Sequence, residues 1–175
     1  MNRRAHLDML GESRAGVLCG AVTLGELCQI CGVCCHGAFF RYALLSDEEV
    51  LRLKELGIPT ARRRNGQAAI RLGCAALRGT RCGIYEQRPK ACDAYFCQLA
   101  FRMRDGLISP EEATHVVEQA RSLLAQIEAE IPPRAEDDPP SPMERAYQHG
   151  LLSGPALLRQ AEALFRQHFL GADQP

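Results

Sequence analysis

Apolar side chains recur at three- and four-residue steps through Val116, Val117, Ala120, Leu123, Leu124, Ile127 and Ile131. Such a stripe predicts a long amphipathic helix. Its start is marked by Ser109-Pro110-Glu111-Glu112, which combines an N-cap serine, proline at the first helical position and glutamate at the third; Pro132-Pro133 ends it. A second apolar face, Leu157, Leu158, Ala161, Leu164, Phe165 and Phe169, predicts a final helix opened by Ser153-Gly154-Pro155, running to Leu170 and stopped by Gly171. Ser46-Asp47-Glu48-Glu49 reads as a capping box for a third helix. Gly57-Ile58-Pro59 closes that segment, and Leu51, Leu53 and Leu56 are expected on its buried face.

The remaining pattern is shorter in period. Phe39 to Leu45 reads as a strand between Gly37 and Ser46, and Thr60 to Leu72 as a small hairpin turning at Asn65-Gly66. Pro89 is placed to begin a short helix through Cys92 to Phe101. In an ideal helix Cys92 and Cys97 would point to nearly opposed faces, since five residues advance about 500°. Either one of them lies beyond a helix end or the two serve different centres. Residues 5–27 suggest a weak helix or two, and PPRAEDDPPSP at 132–142 reads as an extended linker rather than packed structure. No internal repeat is present.

The expected fold is therefore mainly α, with an irregular, turn-rich cysteine core and one small β-hairpin. Its organisation runs from a lead-in over 1–27 to a cysteine-cluster domain over 28–101. A long helix over 102–131 packs on that domain, the proline-rich linker spans 132–142, and a helical extension occupies 143–175.

Composition sharpens this. The chain has 175 residues, 46% hydrophobic but only 6% aromatic, with no tryptophan, so large anchoring side chains are scarce. Bound metal would offset the shortage: structural zinc contributes on the order of 10–16 kcal/mol of apparent binding free energy to small folds. Metal loss is expected to loosen residues 28–97. Basic and acidic residues balance at 21 each, which disfavours a nucleic-acid partner, and the Arg62-Arg63-Arg64 run reads as a solvated hairpin tip. Acidic and basic residues interrupt every apolar stretch before Cys28, so neither a signal peptide nor a membrane span is expected and the reading is cytosolic.

Nine cysteines in such a chain imply chemistry. Cys28, Cys31, Cys34 and Cys35 form CxxCxxCC, and Cys74, Cys82, Cys92 and Cys97 follow. Two-residue gaps let a curled loop turn two sulfurs toward one centre, whereas disulfide partners rarely space this way. A disulfide-bonded secreted domain also conflicts with the missing signal peptide and the adjacent Cys34-Cys35 pair. Thiolates suit zinc, copper(I) and iron–sulfur clusters, and eight can make two four-coordinate sites or one site with redox-active spares. Adjacent side chains tend to diverge, so Cys34 and Cys35 more easily serve a dinuclear arrangement or two neighbouring sites than one ion. For zinc, Cys31-Gly32 and Cys82-Gly83 resemble knuckles in which a positive-φ glycine aims N–H groups at sulfur. For iron, Cys28, Cys31 and Cys34 match the step that wraps three corners of a [4Fe–4S] cube, but Cys35-His36 departs from the ferredoxin Cys-Pro ending. Spacing leaves the metal open between zinc and iron.

Four thiolates on one zinc ion leave a buried dianion that needs positive charge nearby. Arg41, Arg78, Arg81, Arg88 and Lys90 lie close in sequence. Arg88 stands out, because its place before Pro89 biases it to an extended conformation between Cys82 and Cys92. His36 is a possible replacement ligand, although eight cysteines already satisfy two sites. Cys19 reads as a buried, inert thiol. Tyr85, Tyr95 and Phe96 read as shielding, and Asp93 and Glu86 as surface acids, so no catalytic residue is identified. His6, His115, His149 and His168 carry no assignment.

The CxxCxxCC run, followed by Cys82-Gly83-Ile84-Tyr85-Glu86-Gln87-Arg88-Pro89-Lys90-Ala91-Cys92 and Phe96-Cys97, resembles the YkgJ-type cysteine-cluster family of zinc- or iron-chelating domains. The resemblance covers residues 28–97. It implies metal binding by Cys28, Cys31, Cys34, Cys35, Cys74, Cys82, Cys92 and Cys97, and no reaction. The motif is also similar to that of a bacterial flagellin lysine methylase, which keeps a redox or protein-modifying enzyme with an iron–sulfur centre as the alternative. The radical-SAM CxxxCxxC spacing and a GxGxG after a strand are both absent. The function expected is that of a metal-binding protein holding zinc or an iron–sulfur centre, its C-terminal helices covering the site or meeting a protein partner.

Overall fold

The computed structural model describes residues 22–170. Within them the chain is mainly helical, as expected. The lead-in before residue 22, with Cys19, His6 and most of the weak helix assigned to 5–27, lies outside the described residues, as does Gly171. Helix α1 (Leu24–Cys31) starts at a capping box in which the Thr23 hydroxyl accepts from the Glu26 N–H and the Glu26 carboxylate accepts from the Thr23 N–H. It carries Cys28 and Cys31 in its second half, so the first CxxC is helix and not the curled loop expected. An i, i+3 pair on a helix shares a face and brings two sulfurs together as well as a loop does.

Strand β1 (Tyr42–Leu44) is shorter than the expected strand because Phe39 and Phe40 leave it to pack edge-on against different partners, Phe165 and Tyr95. Helix α2 (Asp47–Glu55) follows, and the expected hairpin is β2 (Ala61–Arg62) with β3 (Ala68–Arg71). β3 lies between β1 and β2, antiparallel to both, with Tyr42 opposite Arg71 and Ala61 opposite Ala69. A second hairpin, β4 (Leu77–Arg78) with β5 (Arg81–Cys82), was not anticipated. A 3₁₀ turn (Tyr85–Gln87) leads into α3 (Lys90–Asp93) and α4 (Gln98–Arg104). The single helix expected from Pro89 to Phe101 is thus two, broken at 94–97. Helices α5 (Pro110–Glu130), α6 (Pro142–His149) and α7 (Ala156–His168) complete the chain.

The main core forms where α5 packs against α1, α4, α6 and α7. It holds Leu27, Val33, Leu99, Val117, Ala120, Ile127, Phe165 and Phe169, which confirms the two periodic stripes. Full burial of each large side chain contributes about 1.5–3 kcal/mol. A second core of Leu45, Leu53, Ile58 and Ile70 sits between α2 and the three-stranded sheet. The face of α2 corrects the sequence reading: Leu53 is 0% exposed but Leu51 is 65% exposed. Two residues apart on a helix is about 200°, so both cannot face β3. Glu49 takes the buried position instead.

The stretch read as a linker is exposed at 132–137 but docks at its far end. Ser141 is fully buried, donates its hydroxyl proton to the Gly37 carbonyl at 2.8 Å and caps α6. Gly73 has no room for a side chain, since a Cβ there would stand 2.6 Å from the Pro140 carbonyl oxygen. Residues 140–141 therefore clamp the two loops that flank the cysteines. No described helix is long and apolar enough to cross a membrane.

Candidate metal centre

Each cysteine reaches the site by a local device. α1 ends at Gly32, whose φ of 66° lets the chain reverse, and a Cβ at that glycine would lie 2.7 Å from the Thr80 carbonyl oxygen. The turn that follows is closed by His36 N–H to Gly32 C=O and Gly37 N–H to Cys34 C=O, both 2.9 Å, and it presents Cys34 and Cys35. The Cys74 N–H donates to the Cys35 carbonyl at 2.8 Å, tying the loop after β3 to that turn. The β4–β5 register sets Cys82 opposite Leu77, and the Leu77 N–H donates to Cys74 C=O at 3.0 Å. Cys92 lies in α3, while Cys97 is the N-cap of α4, beyond the end of the first helix as one of the two expectations required.

All eight of these cysteines line one cavity of about 320 Å³, together with Phe40, Tyr42, Tyr85, Arg88 and Tyr95. Phe169, just past α7, lines it as well, so the C-terminal helix closes one side. The sulfurs stand around open space: among the described residues no three His, Cys, Asp or Glu side chains are drawn closely enough around one point to hold an ion.

Desolvation dominates their acidity. Burial pushes Cys28 and Cys92 up to about 11 and Cys31 and Cys35 up to about 12, and raises Cys34, Cys74 and Cys97 as well. In the metal-free chain these are neutral thiols near pH 7. Repulsion between thiolates adds to the shift and reveals the neighbours. Cys34 feels Cys31, Cys97, Cys35 and Cys28, whereas Cys35 feels Cys74, Cys82, Cys92 and Cys31. Backbone N–H groups oppose the shift at Cys31, Cys74 and Cys97, and the Ala76 N–H reaches the Cys74 sulfur at 3.4 Å.

Positive charge arrives where Arg88 was expected to supply it. Its backbone is extended at φ −62°, ψ 152°, and its guanidinium stacks 3.8 Å from the Tyr85 ring centroid, pairs with Asp93, and pulls the pKa of both Cys28 and Cys92 back down. Arg78 acts similarly on Cys74, while Arg41 turns away to Glu144. Burial lowers the pKa of His36, and its charged neighbours are Glu128 and Arg121 on α5 rather than any thiol. Gly83 does not adopt the positive φ expected of a knuckle glycine. A Cβ there would lie 3.1 Å from the Ala76 carbonyl oxygen, so close approach accounts for it.

Two features escaped the sequence. The Tyr95 hydroxyl is buried with no hydrogen-bond partner, on the side of the cavity where Cys34, Cys97 and Cys28 lie. Glu49 accepts from the Lys90 N–H and so anchors α3, the helix that carries Cys92. Soft donors, N–H groups aimed at sulfur, a nearby arginine and an unsatisfied hydroxyl together fit a thiolate-bound metal or cluster. A larger cleft of about 1100 Å³, between residues 37–41, α6 and α7, contains none of these cysteines but shares Phe40 with their cavity.

A family model named CxxCxxCC, described as a putative zinc- or iron-chelating domain, matches residues 27–117. No curated protein and no solved structure matches the chain.

Proposed function

The chain belongs to the CxxCxxCC family, and from that premise we propose that it is a cytosolic metal-binding protein holding zinc or an iron–sulfur centre through Cys28, Cys31, Cys34, Cys35, Cys74, Cys82, Cys92 and Cys97. The observation that carries this reading is the convergence of all eight thiols on one cavity from six separate stretches of chain. Nothing in packing alone requires so many cysteines to face the same space. Zinc would supply a closed structural crosslink there, and an iron–sulfur centre an electron site.

The residues of this chain have definable tasks. The buried thiols with raised pKa values, Cys28, Cys31, Cys34, Cys35, Cys74, Cys92 and Cys97, give up protons to solvent as they ligate. Arg88, shared by Cys28 and Cys92, balances part of the negative charge that develops. Phe40 and Phe169 keep bulk water from the sulfurs, and Glu49 holds α3 in place. With the C-terminal helices already packed as a cover, a protein partner would meet their outer surfaces.

Elemental analysis with an absorption spectrum, on protein purified without oxygen and without a metal-affinity tag, tests the reading. Stoichiometric zinc in a colourless protein, or iron and sulfide with broad visible absorption, supports it. Protein that contains neither, and takes up neither when reduced and supplied with them, refutes it. A redox or protein-modifying enzyme is the second reading, favoured by the cleft that adjoins the thiol cavity across Phe40 and offers room for a substrate.

A further inference from the structure

We propose that the eight cysteines form two separate four-thiolate sites, one made by Cys28, Cys31, Cys34 and Cys97 and the other by Cys35, Cys74, Cys82 and Cys92, each taking one soft divalent cation such as zinc. The proposal deepens the metal-binding reading and rests on it. The Cys34–Cys35 peptide is the boundary: consecutive side chains diverge, and here they diverge into different neighbourhoods.

The architecture supports each set independently. For the first, α1 presents Cys28 and Cys31 on one face, and α4 packs on α1 with Cys97 at its N-cap. The turn after Gly32 folds Cys34 back against the end of the same helix. For the second, the Cys74 N–H is bonded to the Cys35 carbonyl, the Gly83 N–H to the Ala76 carbonyl at 2.8 Å, and the β4–β5 hairpin returns Cys82 beside Cys74. α3 then brings Cys92, held by the bond from the Lys90 N–H to Glu49.

Mutual repulsion among the thiolates follows the same division. Cys28 feels Cys97, while Cys92 feels Cys74 and Cys82, and neither feels a thiol of the other set. The couplings across the boundary are Cys34 with Cys35, which are neighbours along the chain, and Cys35 with Cys31, the weakest of the thiol influences on Cys35. The buried, unpartnered Tyr95 hydroxyl lies near Cys34, Cys97 and Cys28, and no thiol of the second set acts on it. It is a positioning residue for the first site, donating to a thiolate there once the metal is bound.

Native mass spectrometry of the full chain, reduced and loaded with Zn²⁺ without oxygen, tests the division. The wild type should carry two zinc ions, Cys31→Ser/Cys97→Ser one, Cys74→Ser/Cys92→Ser one, and the crossed variant Cys31→Ser/Cys74→Ser fewer than either. A second measurement needs no substitution. At one equivalent of Zn²⁺, N-ethylmaleimide labelling mapped by peptide should show protection rising together within each set of four, with Tyr95→Phe weakening the first set by about tenfold and sparing the second. Within-set and crossed variants that lose metal equally, or protection shared evenly by all eight thiols, would overturn the division while leaving metal binding intact. A wild type that binds no zinc would overturn the division and, if iron also fails to bind, the metal-binding reading with it.

Discussion

The Glu49 carboxylate accepts a hydrogen bond from the Lys90 backbone N–H at 2.7 Å, across 41 positions of chain, while its other oxygen closes the capping box on the Ser46 N–H. Burial alone would raise its pKa, but the Lys90 and Ser46 donors outweigh that and hold it below the usual carboxylate value. One buried side chain thus starts α2 and docks the helix bearing Cys92. Glu49→Ala should cost about 2–3 kcal/mol, because two backbone donors lose their acceptor. Urea unfolding of the metal-free protein checks this. A change under about 0.5 kcal/mol would show that water replaces the carboxylate without penalty.

Ser141 makes a comparable long-range clamp. Ser141→Ala removes both the donor to Gly37 and the α6 cap, and should lower stability by about 1–3 kcal/mol. Hydrogen exchange should then quicken in residues 37–38 more than in α5. Uniform exchange across the molecule would contradict a local clamp.

Gly32 and Gly57 both have positive φ, but only Gly32 lies against another segment. Gly57→Ala should cost about 1–2 kcal/mol of left-handed backbone strain. Gly32→Ala adds the collision with Thr80 and should cost visibly more, with weaker metal retention besides. Equal melting shifts in the two variants would remove the close approach from the account.

Metal uptake should release protons. Burial pushes Cys28 and Cys92 up to about 11 and Cys31 and Cys35 up to about 12, from the 9.0 of an ordinary cysteine, so these four are protonated at pH 7 and each must lose its proton on ligation. Apparent affinity should therefore climb with pH, and calorimetry in two buffers of different ionisation enthalpy will count the protons. The same raised values mean that the metal-free fold keeps this contribution in full below pH 9 and loses it as pH rises through about 11–12. Metal-free stability that is flat over that window would contradict the burial of neutral thiols.

Arg88 is shared by Cys28 and Cys92, one from each neighbourhood of thiols. Arg88→Met keeps much of the bulk over Tyr85 but removes the charge, and should weaken zinc binding about tenfold, with a smaller loss in high salt. Chelator competition measures it. Unchanged affinity would leave the arginine a stacking role alone.

What could be read from the sequence was whatever a few neighbouring residues decide. The caps at Ser46 and Ser109 formed as expected, since a hydroxyl and a glutamate three residues on satisfy each other locally. The same signal stood at Thr23 and Glu26, and it would have placed α1 through Cys28 and Cys31 had the CxxC not suggested a loop. The split between α3 and α4 is one of the two outcomes that the helical angle between Cys92 and Cys97 allowed, the other being separate centres on one helix. The far-reaching contacts were illegible: nothing near Glu49 announces Lys90, nothing near Ser141 announces Gly37, and strands of two residues such as β4 and β5 are too short to leave a period. The eight cysteines were legible as a group from spacing and resemblance, but their neighbours in space were not.

The order of those neighbourhoods along the chain has a consequence for assembly. Cys35, Cys74, Cys82 and Cys92 all fall between Cys34 and Cys97, so one group is nested inside the loop that the other must close. Gathering the inner group shortens that loop, and each halving of loop length spares about 0.6 kcal/mol of closure entropy. As the chain emerges from its N-terminus, Cys97 is also the last of the eight to arrive. The segment that begins the cluster thus waits for the one that ends it, and the inner thiols can be settled before the outer ring is complete.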